Sequence, residues 1–364
     1  MNMNKLGFGF LRLPKRDGTY DWDSLNKMVD AYLQSGRRYF DTCYTYLDGN
    51  SELGIRNCVT GRYPRNAFEL ADKLPGYLCK SYADCKRFFG EQLLRCGVSY
   101  FDVYMLHWLN AENYRIAQKC DQFRFLRELK ENGLAKRIGF SYHDSASLLD
   151  TILTEHPEVD IVLLQINYLD WESAGIESRK CYEVCMKHGK SICVMEPVKG
   201  GTLANVPQEA ENLMRAMHPV WSPADWALRF AQSLPGVETV LSGMNTLQQI
   251  QENTKEFEPL NQDELLLLKN VREMIEKDTA VPCTGCRYCE PHCPLEMPIP
   301  DYFKMYNEIS RFPGDDWKII PAYRQLSRHR SKASQCLSCH ACEMHCPQHI
   351  SVSDIMKQVA AVLE

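Results

Sequence analysis

The sequence predicts an α/β fold, a (β/α)8 TIM barrel followed by a small cysteine-rich domain. Short apolar runs alternate with stretches of helical periodicity over about 250 residues, the length expected of a (β/α)8 barrel. Two cysteine motifs with the same internal spacing follow these runs. We therefore expect a barrel domain at residues 1–275 and a second domain at residues 276–364.

Eight apolar runs predict the strands of the barrel. Several of them end on a charged or polar residue, among them Asp41, Lys73 and His107. No Gly-x-Gly-x-x-Gly follows the first run, which argues against a doubly wound open sheet. The predicted strands are residues 7–14, 38–41, 67–73, 100–107, 137–141, 161–167, 192–195 and 237–241.

Apolar residues at helical spacing predict the helices between these strands. Gly36 is placed to end the first helix as a C-cap. We expect Ser51 to open the second, and Ser222 with Pro223 to form an N-cap and first-turn pair. The predicted helices lie at residues 22–35, from 51 onward, and at 83–95, 123–133, 148–153, 179–187, 222–230, 246–255 and 263–276.

The composition is that of an ordinary globular protein. The 364 residues carry a formal net charge of −5 and are 45% hydrophobic, which indicates neither a nucleic-acid nor a membrane partner. No apolar secretory segment or membrane span is evident in the sequence. Nine of the 17 cysteines lie outside the two motifs. Scattered cysteines of this kind favour free thiols in a reducing cytoplasm over a disulfide framework.

A polar constellation is expected at the carboxyl ends of the strands, where ligands bind in parallel barrels. Asp41, Lys73 and His107 end successive runs, and Tyr46 lies in the loop after the first of them. A tyrosine pKa is about 10, so Tyr46 needs help to donate a proton at neutral pH. We expect Lys73, paired with Asp41, to lower the Tyr46 pKa, and His107 to orient a carbonyl oxygen. Taken singly, each is better explained as a salt-bridge, core or surface residue.

Residues 41–52 resemble the aldo-keto reductase pattern Asp-Thr-Ala-x-x-Tyr-Gly-x-x-Glu. Cys43 replaces the alanine, and residues 47–49 replace a single glycine. The identities and the order of the acid, the threonine and the tyrosine match the pattern. The resemblance implies that Asp41 and Tyr46 belong to a catalytic tetrad.

Two later stretches carry the same resemblance. Residues 69–73 match the strand that ends on the catalytic lysine, and residues 102–108 match the strand that carries the histidine. The resemblance covers roughly residues 5–255 and implies NAD(P)-dependent reduction of a small carbonyl, or oxidation of an alcohol. Trp108 is either a wall of the substrate pocket or a residue packed beneath it.

The resemblance also implies a nicotinamide site at the strand ends. Ser141 and Gln165 match residues that hold the carboxamide, whereas Tyr142 stands where asparagine is usual. Met195 replaces a ring-stacking tyrosine, and a thioether covers a ring face less specifically than a phenol. The expected cofactor contacts are Arg12, Ser141, Gln165, Met195, Pro197, Lys199, Gly201, Leu203, Ser242, Gly243, Gln249 and Asn253.

Two positions of this site bear on the choice between NADPH and NADH. The family often places a lysine and an arginine where this chain has Gly243 and Gln249. A glutamine does not neutralise a 2′-phosphate, so the bidentate clamp is missing. We expect weakened selectivity for NADPH, with NADH or loose nucleotide binding as alternatives. Lys199 is a candidate contact for the pyrophosphate or a solvated loop lysine.

The two cysteine motifs share the spacing Cys-x2-Cys-x2-Cys-x3-Cys-Pro and resemble bacterial-type ferredoxin domains with two 4Fe-4S clusters. In such domains the fourth cysteine of each motif binds the other cluster. Residues 294–335 form a long insertion between the motifs. The implied ligands are Cys283, Cys286, Cys289 and Cys346 for the first cluster, and Cys336, Cys339, Cys342 and Cys293 for the second.

Zinc is the alternative metal, since Cys-x2-Cys pairs bind it readily. Zinc has no need of a third cysteine and a Cys-Pro in each motif, so we favour iron–sulfur clusters. His292, His340 and His345 lie among the ligands and are expected to tune hydrogen bonding rather than to bind metal. A basic run either docks an acidic electron carrier or is a solvated helix face. It comprises Arg324, Arg328, Arg330 and Lys332.

Three functions remain open on the sequence alone. In the first, the barrel is a nicotinamide-dependent oxidoreductase and the clusters pass electrons or brace the fold. Clusters move single electrons and nicotinamide moves a hydride, so direct exchange needs a converter such as flavin, which stays an alternative cofactor. In the second, clusters fed by a ferredoxin or flavodoxin reduce a barrel-bound substrate, and the nucleotide site is vestigial. In the third, the chain is a non-catalytic electron-transfer or assembly protein. The complete tetrad favours the first.

Overall fold

The computed structural model describes residues 5–173, 176–256, 258–311, 316–328 and 330–364. The strands in these ranges are β1 (Leu6–Gly9), β2 (Lys15–Arg16), β3 (Thr19–Tyr20), β4 (Tyr39–Asp41), β5 (Glu69–Leu74), β6 (Phe101–Leu109), β7 (Ala135–Tyr142), β8 (Ile161–Gln165), β9 (Ser191–Met195) and β10 (Val237–Ser242). The α-helices are α1 (Trp22–Gln34), α2 (Asn50–Ile55), α3 (Tyr82–Cys96), α4 (Ala111–Lys119), α5 (Gln122–Glu131), α6 (Ala146–Glu155), α7 (Ser178–Lys187), α8 (Gln208–Met217), α9 (Pro223–Ser233), α10 (Leu247–Asn253), α11 (Gln262–Asp278), α12 (Ile299–Arg311), α13 (Asp316–Leu326), α14 (Ala341–Met344) and α15 (Val352–Leu363).

Eight of these strands close into a parallel barrel, which confirms the predicted fold class. Their order around the barrel is β1, β10, β9, β8, β7, β6, β5 and β4. Strands β2 and β3, which were not predicted from the sequence, pair as a separate antiparallel hairpin. The turn between them contains Asp17 and Gly18, both with positive φ. Asp-Gly is a common two-residue hairpin turn, so the signal was present.

Apolar side chains from the strands fill the barrel interior. They are Tyr39, Ala71, Val103, Met105, Ile161, Leu163, Cys193 and Leu241. Side chains alternate across a strand, so residues two positions further along point to the same face. Those residues include Asp41, Lys73, His107 and Gln165, at or near the carboxyl ends of β4, β5, β6 and β8. The barrel therefore gathers at one end the polar residues that the sequence places at the strand ends.

Local signals explain several helix boundaries. Gly36, with φ of 82°, follows the end of α1 as a C-cap requires, and α9 begins at Pro223 as predicted. The start of α2 differs from the prediction, because the helix begins at Asn50 rather than being opened by Ser51. The Ser51 hydroxyl is buried and donates to the carbonyl oxygen of Phe10 over 2.8 Å. It therefore ties the helix to the loop after β1 instead of capping it.

The chain divides into two compact units. The first comprises residues up to Glu172 together with Glu177–Pro197 and Asp225–Leu260. The second comprises Ser173–Ile176, Val198–Ala224 and Asn261–Glu364. All eight barrel strands lie in the first unit and both cysteine motifs lie in the second. Among the helices described, none has the length and apolar character that crossing a membrane requires.

The two halves of the cysteine-rich region repeat one backbone conformation. Positive φ values recur at equivalent positions of the two motifs, in the pairs Gly285 and Ser338, Arg287 and His340, and Glu296 and His349. The helices α12 and α15 also begin at equivalent positions. One apolar core, which includes Cys289, Tyr302, Cys342 and Met356, packs the two halves together. The sequence repeat is thus also a structural repeat.

Candidate functional site

A buried ion pair joins the carboxyl ends of β4 and β5. The Lys73 ammonium donates to Asp41 Oδ1 over 2.6 Å and to the Thr42 carbonyl oxygen over 2.8 Å, and the Lys73 side chain is fully buried. Burial lowers the pKa of Lys73, but the charges of Asp41, Cys43 and Asp72, together with the hydrogen bond to Asp41, outweigh burial and leave this pKa raised. Burial raises the pKa of Asp41, which Lys73 partly offsets. Lys73 is therefore a fixed positive charge inside the barrel mouth.

Tyr46 lies against this charge. Lys73 Nζ is 5.0 Å from the centroid of its ring, and the ring meets His107 edge to face with centroids 5.7 Å apart. Burial, followed by the charge of Asp41, raises the pKa of Tyr46 well above its ordinary value. The net shift of the Tyr46 pKa is therefore upward and not the lowering that was expected, because burial and the charge of Asp41 dominate it. Tyr46 is a neutral phenol at pH 7, which is the form that donates a proton.

The imidazole of His107 contacts the thiol of Cys43. Cys43 Sγ lies 3.2 Å from His107 Nδ1. Burial raises the pKa of the Cys43 thiol to about 12, so it keeps its proton. Burial, and then the charges of Lys73 and His143, lower the pKa of His107 well below its ordinary value. The imidazole is therefore neutral at pH 7 and acts as a hydrogen-bonding group rather than a charge.

Two aromatic residues stand next to His107. The Tyr77 ring contacts His107 with centroids 5.9 Å apart and meets Trp108 edge to face at 5.6 Å. The Tyr77 hydroxyl is 3.2 Å from Thr45 Oγ1, in the loop that carries Tyr46. The sequence analysis did not single out Tyr77, although it follows the Pro75–Gly76 break directly after the Lys73 strand. Position after a strand end was the signal that could have identified it.

The carboxyl ends of β7, β8 and β9 carry the expected carboxamide and ring contacts. Ser141 Oγ accepts a hydrogen bond from the backbone N–H of Trp108 over 2.6 Å, where β6 is irregular and Trp108 has φ of 58°. The Gln165 amide donates to Asp170 Oδ2 over 2.8 Å. Met195 is half-buried and packs against the barrel interior, while the adjoining Pro197 is buried. A hydroxyl, an amide and an apolar face are groups that suit a ring bearing a carboxamide.

Residues at and after the end of β10 that were expected to contact a nucleotide form hydrogen bonds within this stretch of the chain. Asn253 donates to Ser242 Oγ over 3.2 Å, and Gln249 Oε1 accepts from the backbone N–H of Asn245 over 2.8 Å. A Cβ added to Gly243 would lie 3.3 Å from Arg12 Cδ, so the Arg12 side chain runs along this glycine. The structure thus brings the aliphatic part of the Arg12 side chain to Gly243, one of the two positions that lack the usual cations.

The remaining expected contacts lie in the second unit. Lys199 and Gly201, with the intervening Gly200, have φ of 46°, 103° and 64°. The Lys199 ammonium donates to Gln348 Oε1 over 2.9 Å, and its side chain is 3% exposed. Lys199 is therefore neither a solvated loop lysine nor an open cation, and Leu203 beyond it is fully buried.

The eight motif cysteines fall into the two expected sets. The charge of Cys346 acts on Cys283 and Cys289, and the charges of Cys293 and Cys336 act on Cys342, so the fourth thiol of each motif lies near the other motif. A small cavity is lined by four of them, Cys293, Cys336, Cys339 and Cys342. This arrangement fits the predicted crossing of ligands between two iron–sulfur clusters.

Backbone N–H groups face some of these sulfurs. Gly285 N–H points at Cys283 Sγ over 3.4 Å. Burial raises the pKa of Cys346, but N–H groups of Gln348, His349 and Ile350 favour its thiolate. Donors of this kind stabilise ligated thiolates, and they set the reduction potential of bound clusters. The chemistry of the donor set therefore suits anionic sulfur ligands.

Two histidines at equivalent positions of the motifs stack on each other. The rings of His292 and His345 have centroids 3.3 Å apart and are inclined by 12°. Each directly precedes the fourth cysteine of its motif. His340, by contrast, is exposed, and its Nδ1 is 3.0 Å from Glu343 Oε2. The stacked pair thus joins the two segments that carry Cys293 and Cys346, the cysteines expected to bind the cluster of the other motif.

Both parts of the chain match models of known protein families. Residues 5–273 match the family model described as the Aldo/keto reductase family. Residues 282–350 match a model described as a 4Fe-4S dicluster domain. The first match covers the barrel and the second covers both cysteine motifs, which confirms the resemblances found in the sequence.

Curated relatives match the barrel part at low identity. An aldo-keto reductase of Mycolicibacterium smegmatis is 29% identical over 152 residues, which are 41% of this chain and 49% of that protein. The chain thus spans about half the length of the first curated relatives that it matches. The NADH-specific methylglyoxal reductase of Escherichia coli (strain K12) is 23% identical over 298 residues, covering 68% of this chain and 88% of that protein.

Solved structures share the fold. The holo form of aldo-keto reductase AKR11C1 from Bacillus halodurans superposes with a TM-score of 0.61 at 22% identity, covering 73% of this chain and 91% of that chain. An aldo-keto reductase from Klebsiella pneumoniae in complex with NADPH gives a TM-score of 0.58 at 18% identity, covering 74% of this chain and 90% of that chain. At identities this low, these superpositions establish a common fold and nothing further.

Proposed function

The chain belongs to the aldo/keto reductase family and carries a 4Fe-4S dicluster domain, and on this basis we propose that its barrel reduces a small aldehyde or ketone, or oxidises the corresponding alcohol, with NAD(P)H. The observation that carries the proposal is the neutral phenol of Tyr46 between the fixed charge of Lys73 and the neutral ring of His107. These are a proton donor, an electrostatic stabiliser and a hydrogen-bond donor for one oxygen atom.

The roles of the residues follow from the balance of the reaction. A bound nicotinamide would supply the hydride that the carbonyl carbon accepts. The Tyr46 hydroxyl gives its proton to the carbonyl oxygen, which completes the alcohol. Lys73 lowers the energy of the phenolate left on Tyr46, and Asp41 keeps Lys73 charged and in place. His107 orients the oxygen before transfer.

The coenzyme is proposed as NAD(P)H. Ser141, Gln165 and Met195 offer the groups that a nicotinamide ring needs, as described above. Gly243 and Gln249 leave out the usual clamp for a 2′-phosphate, while Arg12 lies along Gly243. The choice between NADH and NADPH therefore rests on Arg12.

We propose that the eight motif cysteines hold two 4Fe-4S clusters that exchange single electrons with a ferredoxin or flavodoxin. A second candidate function is a cluster-fed reductase whose nucleotide site is vestigial. It is favoured by Lys199, whose ammonium binds Gln348 and not an open pyrophosphate position. All nine cysteines outside the motifs are buried free thiols, which supports a reducing, cytoplasmic location.

The test of the proposed function is the Tyr46→Phe substitution. We expect kcat for NAD(P)H-dependent reduction of a series of small aldehydes to fall by a factor of about 100 or more, the usual contribution of a general acid. Tyr44→Phe is the matched control, because the Tyr44 hydroxyl donates to Glu91 over 2.7 Å and accepts from Arg95 over 3.2 Å. Full activity in Tyr46→Phe, or an equal loss in Tyr44→Phe, would contradict the proposal.

A further inference from the structure

The second set of motif cysteines lies nearest to solvent. Cys339 is the exposed member of the eight, whereas the other seven are buried or half-buried. Close to it in the chain, Leu337 is 63% exposed and Met344 is 69% exposed. A cluster held by Cys293, Cys336, Cys339 and Cys342 therefore has an edge close to the surface of the second unit.

A surface groove adjoins this cysteine set. The groove is wide open to solvent, and its lining comprises Pro294, Leu295, Glu296, Arg328, Arg330, Ser331 and Gln335. Pro294 and Leu295 also line the cavity that contains the four cysteines. The groove and the cysteine-lined cavity are thus separated by one shared wall, the segment that directly follows Cys293.

The groove is positively charged. Arg328 and Arg330 line it, and Lys332 lies exposed two residues beyond. Glu296 is the acidic residue in the lining, and Arg330 approaches it only at 3.9 Å, with both side chains largely exposed. The lining therefore carries two positive side chains against one negative side chain. The cationic character of the groove is therefore available to a partner.

We propose that this groove docks a small acidic one-electron carrier protein of the flavodoxin or ferredoxin class, beside the second cluster. The carrier loses one electron and the cluster gains it, so no bond is made or broken. Positive side chains accelerate encounter with an acidic partner, and exposed apolar groups such as Leu337 complete the small contact typical of redox pairs. The inference rests on the proposed presence of the clusters and not on carbonyl reduction.

The experiment mixes the anaerobic 364-residue chain, with both clusters oxidised, with a chemically reduced acidic flavodoxin. Cluster bleaching in the visible spectrum gives the second-order rate constant, without nucleotide or carbonyl present. In Arg328→Glu/Arg330→Glu we expect this constant to fall by about tenfold or more at low ionic strength. We expect the wild-type rate constant to fall as salt is added, and we expect this fall to disappear or reverse in the double variant.

Lys357→Glu is the matched control, since Lys357 is 67% exposed in the same unit but lies outside the groove. Iron content and the EPR spectrum after dithionite reduction must equal those of the wild type in every variant that is compared. The proposal is overturned if the groove variant reacts at the wild-type rate, if Lys357→Glu slows the reaction equally, or if the wild type takes no electrons from flavodoxin. None of these outcomes bears on carbonyl reduction, which is tested separately through Tyr46→Phe.

Discussion

At the residue scale, the contact between Cys43 and His107 fixes how the histidine acts. The thiol keeps its proton and lies 3.2 Å from Nδ1, so its S–H is placed to donate to this nitrogen. We expect the S–H to donate to Nδ1, which places the ring proton on Nε2. Only in this tautomer does a neutral His107 present an N–H to a carbonyl oxygen.

This assignment predicts different effects of two small substitutions. Cys43→Ala removes the donor, and we expect kcat for aldehyde reduction to fall by about tenfold, the lower end of what loss of a tautomer-fixing partner costs at metal sites. Cys43→Ser keeps a donor and should restore most of the rate. The 15N NMR signals of His107, identified by their absence in His107→Gln, should report the Nε2–H tautomer in Cys43→Ser but a mixture in Cys43→Ala. Equal rates and spectra for the two variants would contradict the assignment.

The sequence predicted the polar residues of the barrel mouth but not their partners. The positions of Asp41, Lys73 and His107 at the barrel mouth could be predicted because each residue ends an apolar run, and strand ends meet in a parallel barrel. The rise of the Tyr46 pKa could not be predicted from the sequence, because it depends on burial and on the nearby charge of Asp41. Periodicity gives the face of a strand, whereas orientation of a long side chain depends on all its neighbours.

At the element scale, the loop after β9 belongs with the cysteine-rich unit. Gly200 in this loop lies so close to the first cysteine motif that an added Cβ would be 2.3 Å from the Thr284 carbonyl oxygen. Lys199 beside it bonds to Gln348, which follows the second motif. From the sequence, this loop was expected to belong to the nucleotide site alone. Its contacts with Thr284 and Gln348 join residues far apart in the chain, and such contacts leave no local signal in the sequence.

This contact predicts that Gly200→Ala disturbs cluster binding. Alanine at φ of 64° costs about 1–2 kcal/mol in backbone strain, and the clash with Thr284 adds about 1–3 kcal/mol of overpacking. We expect a lower thermal midpoint and less iron per chain. Gly189→Ala is the matched control, because Gly189 has φ of 62° and nothing within 4 Å of an added Cβ. Equal iron content in the two variants would show that the loop does not support the first cysteine motif.

At the scale of the whole molecule, the two parts of the chain were predictable from different kinds of local pattern. Alternating apolar runs gave the barrel, and cysteine spacing gave the second domain. The membership of Val198–Ala224 in the second unit was not predictable, because it depends on tertiary contacts. Two chemistries, hydride transfer and single-electron transfer, are thus proposed for two units that share the chain.

Separate substitutions can decide whether these chemistries depend on each other. Tyr46→Phe leaves every motif cysteine in place, so we expect unchanged iron content and cluster EPR together with the loss of aldehyde reduction. Cys286→Ser removes one ligand of the first cluster, and we expect a changed EPR spectrum while NAD(P)H-dependent reduction stays within about twofold of the wild type, since none of its proposed groups lies in the motifs. Circular dichroism and thermal unfolding establish that the barrel of Cys286→Ser is folded. If that folded variant loses NAD(P)H-dependent turnover, electrons reach the substrate through the clusters, and the cluster-fed reductase replaces the proposed function.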